Sequence, residues 1–485
     1  MATGGRHRTH LAGYMRNRRE AKNNKPVHEN ANRETPSKKF QPKSRPVFKG
    51  KPCLSNLPDE ILLQVFSALT PSDLLLAARV CRRWRDLTND NLIWKPIFDE
   101  HIRKDKKKCI AQPLDPPPGY WKTECIKGGV ANRNGFIGKY LKKKSPYTKL
   151  PADLNKALQL LGISWLLSFV DSDGNEHPVT CKDVYYFAMS VTVRWYDLQL
   201  PPVDRIRKLK IYSMNPVFVD KKGKASPNSP SQRSLLLERD FHWSRWCEDK
   251  TPLSEDEAIR VFDFGDGVAV SNWKGDGELA FITVSFHAHQ LLDRCIQGNA
   301  YGCANLQTRK PKRQDLDGKY GFYGYSCIIE VRDQRNVLWN EQFLNLDNTN
   351  MSGDHVCLSP IDAMDNVYHQ VLSKKLNFPW KTDLFKGIMQ DMCIMDVTVL
   401  DKHELPIWTI SSPVSIRQSA QNIDFEFEGD KRGIHYRDSK GYINLLIDCD
   451  RSTAKNTVVS LQLFIAMGTI DDWFGTNYQT KQTKK

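Results

Sequence analysis

Between about residue 155 and residue 470 the chain is a succession of short runs dominated by Val, Ile, Tyr, Phe and Thr. This rhythm restricts the fold more than any other feature. The runs are Val184 to Leu198, Leu279 to Phe286, Tyr320 to Val331, Met392 to Leu400, Tyr442 to Asp448 and Val458 to Met467. Turn signals separate them: Ser172-Asp173-Gly174-Asn175, Gly265-Asp266-Gly267, Gly275-Asp276-Gly277 and Ser439-Lys440-Gly441. Many short strands joined by glycine turns predict antiparallel sheets, arranged as one or two sandwiches over residues 155–470 with a tail over 471–485. No internal repeat is visible, which argues against a propeller or solenoid. Ser226 to Ser234 and Gln307 to Asp317 read as exposed loops.

The segment before this region follows a different period. Leu57, Ile61, Val65 and Leu69 recur every fourth residue, widened by Leu62 and Phe66, and Pro58, Asp59 and Glu60 suit the first turn of a helix. Thr70-Pro71-Ser72-Asp73 then reads as a cap and restart, followed by a helix carrying Leu74, Leu75, Ala78, Val80, Cys81, Trp84 and Leu87. Asn89-Asp90-Asn91 caps a third piece with Leu92, Trp94, Ile97 and Phe98. The fold class is therefore α+β and multidomain: a small all-α three-helix unit over 53–100, a linker with short helical pieces over 101–154, and the β-rich antiparallel region. A unit of roughly 40 residues is marginal alone. This one has more apolar side chains than it can enclose, so one face must bury against the rest of the chain or against another protein.

Charge is uneven. Residues 1–52 hold 14 Lys and Arg against 3 Asp and Glu, a net +11 of the chain's +15, which leaves +4 for the other 433 residues. That segment has few apolar residues and is expected to be a disordered, solvated basic tail. The twelve cysteines are scattered, with no CxxC pair; the nearest two, Cys295 and Cys303, are eight apart. This usage suits a reducing compartment, and MATGGRHRTH carries no apolar signal region. Ala157 to Val170, the longest apolar stretch, falls short of the ~20 residues of a membrane helix. The expectation is a cytoplasmic or nuclear protein.

The segment LPDEILLQVFSALTPSDLLLAARVCRRWRDLTNDNLIW resembles an F-box over about 40 residues. Leu57-Pro58, Glu60-Ile61, Phe66, Leu69, the Pro71 restart, Leu74, Val80-Cys81, Trp84, Asn91-Leu92 and Trp94 fall where that motif places them. The resemblance implies docking on the Skp-type adaptor of a cullin-RING ubiquitin ligase, and the implied contact set is Leu57, Pro58, Glu60, Ile61, Phe66, Leu69, Leu74, Val80, Cys81, Trp84 and Trp94. Trp84 and Trp94 have the alternative role of holding the helices together. PYTKLP (146–151), SVTVRWY (190–196), ELAFITVSFH (278–287), YGFYGY (320–325), WKTDLF (380–385), MDVTVLD (395–401), SSPV (411–414) and DWFGT (472–476) are similar, in this order, to a vertebrate F-box protein.

Catalytic signals are weak. Asp263-Phe264-Gly265 mimics a kinase magnesium-binding tripeptide but lacks a glycine-rich loop, strand lysine or catalytic-loop partner. His287 and His289 alternate along a strand and could chelate a metal, yet no third ligand is evident. Asp471-Asp472 reads as a solvated turn. No cysteine stands out as a thioester-forming nucleophile and no paired ligands suggest a RING, so no catalytic residue, cofactor or metal is assigned. The basic runs 101–108 and 309–313 read as soluble loops before import signals. The expected function is a non-catalytic adaptor, its F-box on a Skp–cullin scaffold and its β-rich region on a target protein. The alternative is a nucleic-acid or ribonucleoprotein factor, using the basic tail and the aromatic run Tyr320 to Tyr325, whose F-box serves its own turnover. A third class, a glycan-binding sandwich, would need the tryptophans on one exposed face.

Overall fold

The structure is a computed structural model and describes residues 57–102, 113–196, 202–243, 250–275, 277–292, 294, 318–419, 429–450 and 455–478. The basic tail, the 307–317 loop and the basic run 309–313 lie outside the described residues, as does nearly all of the run at 101–108. Two compact units divide the chain. One is residues 1–132 with 217–219 and 226–230, and the other is the remainder.

In the first unit, α1 (Asp59–Ser67), α2 (Pro71–Ala77), α3 (Arg82–Thr88) and α4 (Asn91–Ile97) lead to α5 (Tyr120–Tyr140), whose C-terminal end lies in the second unit. Thr70 caps α2: its Oγ1 accepts from Asp73 N at 3.2 Å and donates to the Asp73 carboxylate at 2.7 Å. One continuous helix from Leu74 to Leu87 is not what forms. The helix ends at Ala77, residues 78–80 form a turn, and a new helix starts after Cys81, whose Sγ accepts from Trp84 N. Arg83, in the restarted helix, donates to the Asp59 carboxylate at 2.9 Å and to the Leu57 carbonyl, tying α3 to the start of α1. The core is Leu62, Leu63, Phe66, Leu74, Leu87, Ile93, Trp94 and Phe98, completed by Trp121 and Cys125 of α5. The expected linker over 101–154 thus contains a 21-residue helix that finishes the core. Residues 226–230 form the expected loop, but 231–234 are already strand. Phe218 packs with Leu75, Ile126 and Val130, and a Cβ at Gly129 would lie 2.7 Å from its ring.

After the end of α5 the second unit continues with α6 (Leu154–Leu160), β1 (Ser164–Asp171), β2 (Glu176–Thr180), β3 (Asp183–Tyr186), β4 (Ser190–Trp195), β5 (Ile206–Pro216) and β6 (Ser231–Asp240). β7 (Ser254–Glu255), β8 (Ile259–Gly265), β9 (Val268–Trp273), β10 (Leu279–His287), α7 (Ala288–Leu291), β11 (Tyr325–Arg332) and β12 (Val337–Leu346) follow. β13 (Asn350–Ser352), β14 (His355–Ile361), β15 (Gln370–Val371), β16 (Phe378–Lys381), β17 (Lys386–Met389), β18 (Met392–Leu400) and β19 (Pro406–Gln418) continue the chain. β20 (Asp430–Arg437), β21 (Gly441–Cys449), β22 (Asn456–Ala466) and α8 (Met467–Phe474) close it. Three principal antiparallel sheets result, ordered β2-β1-β5-β6, β3-β4-β10-β9-β8-β7 and β12-β11-β18-β19-β20-β21-β22-β14-β13, with β15 on β22 and β16-β17 as a separate hairpin.

The largest sheet curls until β12 approaches the β15 segment, where Trp339 Nε1 donates to Gln370 Oε1 at 2.8 Å and Ser373 N to the Leu338 carbonyl at 2.9 Å. Near-closure leaves fewer free edges. Its interior holds Ile329, Val331, Val397, Val399, Ile410, Ile443, Leu445, Leu461 and Leu463, with Tyr320, Tyr325 and α8 in the same core. The six-stranded sheet is covered on both faces, so β4 and β10 are buried at every position. Its Phe286 stacks on Trp165 of β1 at 5.8 Å.

The other face of β4 and β10 is polar. Ser190, Thr192 and Arg194 stand in register with His287, Ser285 and Thr283, and all six are buried. They meet β11 and β18. The Asp396 carboxylate accepts from Arg332 Nε and Ser190 Oγ at 2.6 Å and from Ser411 Oγ at 2.5 Å. Arg332 also donates to Ser190 and Thr192 at 2.9 Å and lies 3.9 Å above the Phe187 ring. A buried charge is tolerated only when paired and hydrogen-bonded, as here.

Glu330, one pair along β11 and in register with Asp396, is also buried, and one carboxylate oxygen has no hydrogen-bond partner. Burial first, then the Asp396 charge, push its carboxyl from 4.5 up to about 7, against the pull of Arg332. A folded pKa raised above the unfolded value means that this group's contribution is full below pH 4.5 and is lost as pH rises through about 7. Glu330→Gln removes that dependence. Denaturation midpoints at pH 6 and pH 8 should show the variant gaining on the parent chain as pH rises; a constant difference would show that Glu330 does not titrate in this window.

Candidate docking face

The helical unit sorts its apolar residues into two sets. α1 turns Leu62, Leu63 and Phe66 inward, while Pro58, Ile61 and Val65, spaced i, i+3, i+7, remain on the outer side. Ile61 is 42 % and Val65 50 % exposed. The same happens with Leu76 near the end of α2 and Val80 in the turn after it, 41 % and 64 % exposed, beside exposed Cys81. The two acids of the first turn, Asp59 and Glu60, are half-buried.

The eleven residues singled out by the motif divide accordingly. Pro58, Ile61, Val80 and Cys81 are exposed; Leu57, Glu60, Leu69 and Trp84 are half-buried. Phe66, Leu74 and Trp94 are corrected to interior residues, each no more than 2 % exposed, and cannot reach a partner without unfolding the unit. Trp94 Nε1 donates to the Thr88 carbonyl at 2.6 Å, and Phe66 meets Trp84 edge-on at 5.2 Å. Leu57 and Leu69 pack against the same core. Val65 and Leu76 are exposed apolar residues absent from that set. Val65 was legible as the i+4 neighbour of Ile61; Leu76 was not, because Leu74, Leu75 and Leu76 look alike until the helix phase is known.

The F-box-like family matches residues 54–100. F-box only protein 15 of Homo sapiens is 31 % identical over 441 residues, covering 88 % of this chain and 86 % of the relative. F-box only protein 15 of Macaca fascicularis is 31 % identical over 438 residues, covering 87 % of this chain and all of the relative. The chain belongs to the F-box only protein 15 family. Over the F-box alone, a protein of Aspergillus terreus named probable E3 ubiquitin ligase complex SCF subunit sconB is 39 % identical over 56 residues, 12 % of this chain and 8 % of that one.

The F-box only protein 15 relatives span the β-rich region as well, and there the remaining sequence signals have structural explanations. His287 Nε2 lies 3.0 Å from Thr398 Oγ1, its Nδ1 accepts from His289 N at 3.3 Å, and His289 Nε2 donates to the Thr148 carbonyl at 2.9 Å. Burial, with a smaller effect of the neighbouring His289, holds His287 well below the usual histidine range, and burial takes His289 down to about 4. Both rings are neutral hydrogen-bonding residues, and no metal-holding cluster occurs among the described residues. Asp263 Oδ1 accepts from Gly265 N in the β8–β9 turn. Of the aromatic run, Tyr320 and Tyr325 are buried in the core of the largest sheet and Phe322 packs on Tyr478, which leaves Tyr323, with Lys402 over its ring, as the exposed aromatic residue of the run.

Proposed function

We propose that this F-box only protein 15 family member is a non-catalytic adaptor of an SCF-type E3 ubiquitin ligase, acting in the cytoplasm or nucleus. Its F-box docks on a Skp-type adaptor and its β-rich region holds the target protein. The observation that carries the reading is the apolar face Pro58, Ile61 and Val65, left outside a core that is complete without it. The SCF subunit name of an F-box-matching relative supports it. The chemistry required of such a subunit is proximity. Holding a target lysine beside an activated thioester raises its effective concentration and needs no acid or base from the adaptor.

The test is co-purification of the full chain with a Skp-type adaptor. Burying an Ile or Val side chain contributes about 1.5–3 kcal/mol, so Ile61→Asp with Val65→Asp should weaken capture by roughly two orders of magnitude or more. Both side chains point away from the core, so helical circular dichroism should be unchanged. Undiminished capture by the folded double variant would overturn the docking face.

A further inference from the structure

The outer face of β19–β22 carries a groove whose chemistry the F-box does not explain. Strand register lays Arg417, Gly433, Leu446 and Ser460 in one row across four strands, and His435, Asn444 and Gln462 in the next. Residues Ile434, Leu445 and Leu461 of these strands point into the opposite face, the closed core. Gly433 supplies the depression: its φ is outside the left-handed region, and a Cβ there would meet nothing closer than 3.7 Å. Glycine is therefore not required by backbone or packing, and what it provides is open space.

Among the described residues no carboxylate lines this groove, which is bounded by Arg417, Gln418, Ser419, His435, Asn444, Ser460 and Gln462. Arg417 is exposed and has no ion-pair partner among the described residues, whereas Arg432, paired with Gln418, is held by Asp391 at 3.0 Å. His435 Nδ1 sits 2.6 Å from Asn444 Oδ1, which fixes both side chains beside the depression. Amides held in place by His435, with hydroxyls, around an uncommitted guanidinium form a donor-rich cradle of the kind that receives planar or tetrahedral oxyanions.

We infer that this groove binds an anionic side chain, carboxylate or phosphate, on an extended segment of a protein target. The inference rests on the reading that the β-rich region holds the target. Arg417 supplies the charge-assisted contact, the Asn444 and Gln462 amides supply neutral hydrogen bonds, and the space over Gly433 admits the ligand backbone.

The experiment is fluorescence polarisation with the full chain and short labelled Gly/Ala peptides carrying a central glutamate pair, phosphoserine pair, glutamine pair or lysine pair. Acidic peptides should bind, with affinity falling as salt rises. Either glutamate or phosphoserine binding supports the inference, and the preference between them identifies the source of the oxyanion. Arg417→Ala should weaken binding roughly tenfold or more, and Gly433→Leu should do the same by filling the groove. Arg417 is exposed, so its variant tests the site even if Gly433→Leu lowers stability. Equal binding of glutamine or lysine peptides, no binding by any peptide, or acidic binding indifferent to Arg417→Ala overturns the inference. Capture of the Skp-type adaptor, measured on the same samples, separates the two readings. Capture without peptide binding sinks only the groove, while peptide binding without capture sinks the ligase assignment.

Discussion

Asp396→Ala is expected to destabilise the β-rich unit by about 3–5 kcal/mol, a large share of the ~5–15 kcal/mol that holds a typical domain together. Asp396 and Arg332 are both fully buried. Removing the carboxylate leaves the buried guanidinium without its ion-pair partner, hydrogen-bonded only to hydroxyl oxygens and the Asp333 carbonyl, and Ser190 and Ser411 lose their acceptor. Urea unfolding followed by fluorescence of the buried Trp165, Trp195 and Trp408 would measure the loss. Joint replacement, Arg332→Met with Asp396→Leu, should cost markedly less than Asp396→Ala, because no charge is then stranded. A single variant within about 1 kcal/mol of the parent, against that expected range, would mean that the pair does not hold the two sheets together.

This polar layer is also where the sequence was least informative. In Ser190-Val191-Thr192-Val193-Arg194-Trp195 the alternation reads as one apolar face and one solvent face. The structure buries both, because a third layer of sheet covers the polar side. Nothing local distinguishes a serine facing water from a serine facing Asp396; the partner lies 206 residues away. The antiparallel β class was legible from valine-rich runs and glycine turns, since those depend on neighbours in sequence. The near-closure of the largest sheet depends on where β12 finds β15, and no local signal encodes it.

The helix α5 escaped notice for a related reason. Gly128, Gly129, Gly135 and Gly138 depress its helix propensity, each by about 1 kcal/mol relative to alanine. At Gly129 the missing side chain admits Phe218, so tertiary packing repays what propensity opposes. The F-box motif was readable as a motif, yet its residue types do not separate docking from core. Phe66 and Ile61 are both large and apolar, and only helix phase turns one inward and the other outward. The same holds for His287 and His289, whose strand spacing suggested chelation while their burial commits each nitrogen described above to Thr398, Thr148 or the backbone of the α7 turn.

Trp94→Ala should therefore abolish adaptor capture by a different route from Ile61→Asp. The indole is wholly buried at the centre of the helical core, and truncating a buried tryptophan costs about 3–5 kcal/mol even before the Thr88 carbonyl is left without its donor. A helical unit of this size has little stability in reserve. Limited proteolysis between Leu57 and Phe98 distinguishes the two mechanisms: Trp94→Ala should lose protection and capture together, whereas Ile61→Asp should lose capture with protection intact. Capture retained by a protease-sensitive Trp94→Ala chain would imply that the partner refolds the unit on binding, placing part of the F-box core's stability in the complex. Protection lost in Ile61→Asp would return Ile61 to the core and leave Val65, Leu76 and Val80 as the face to be tested.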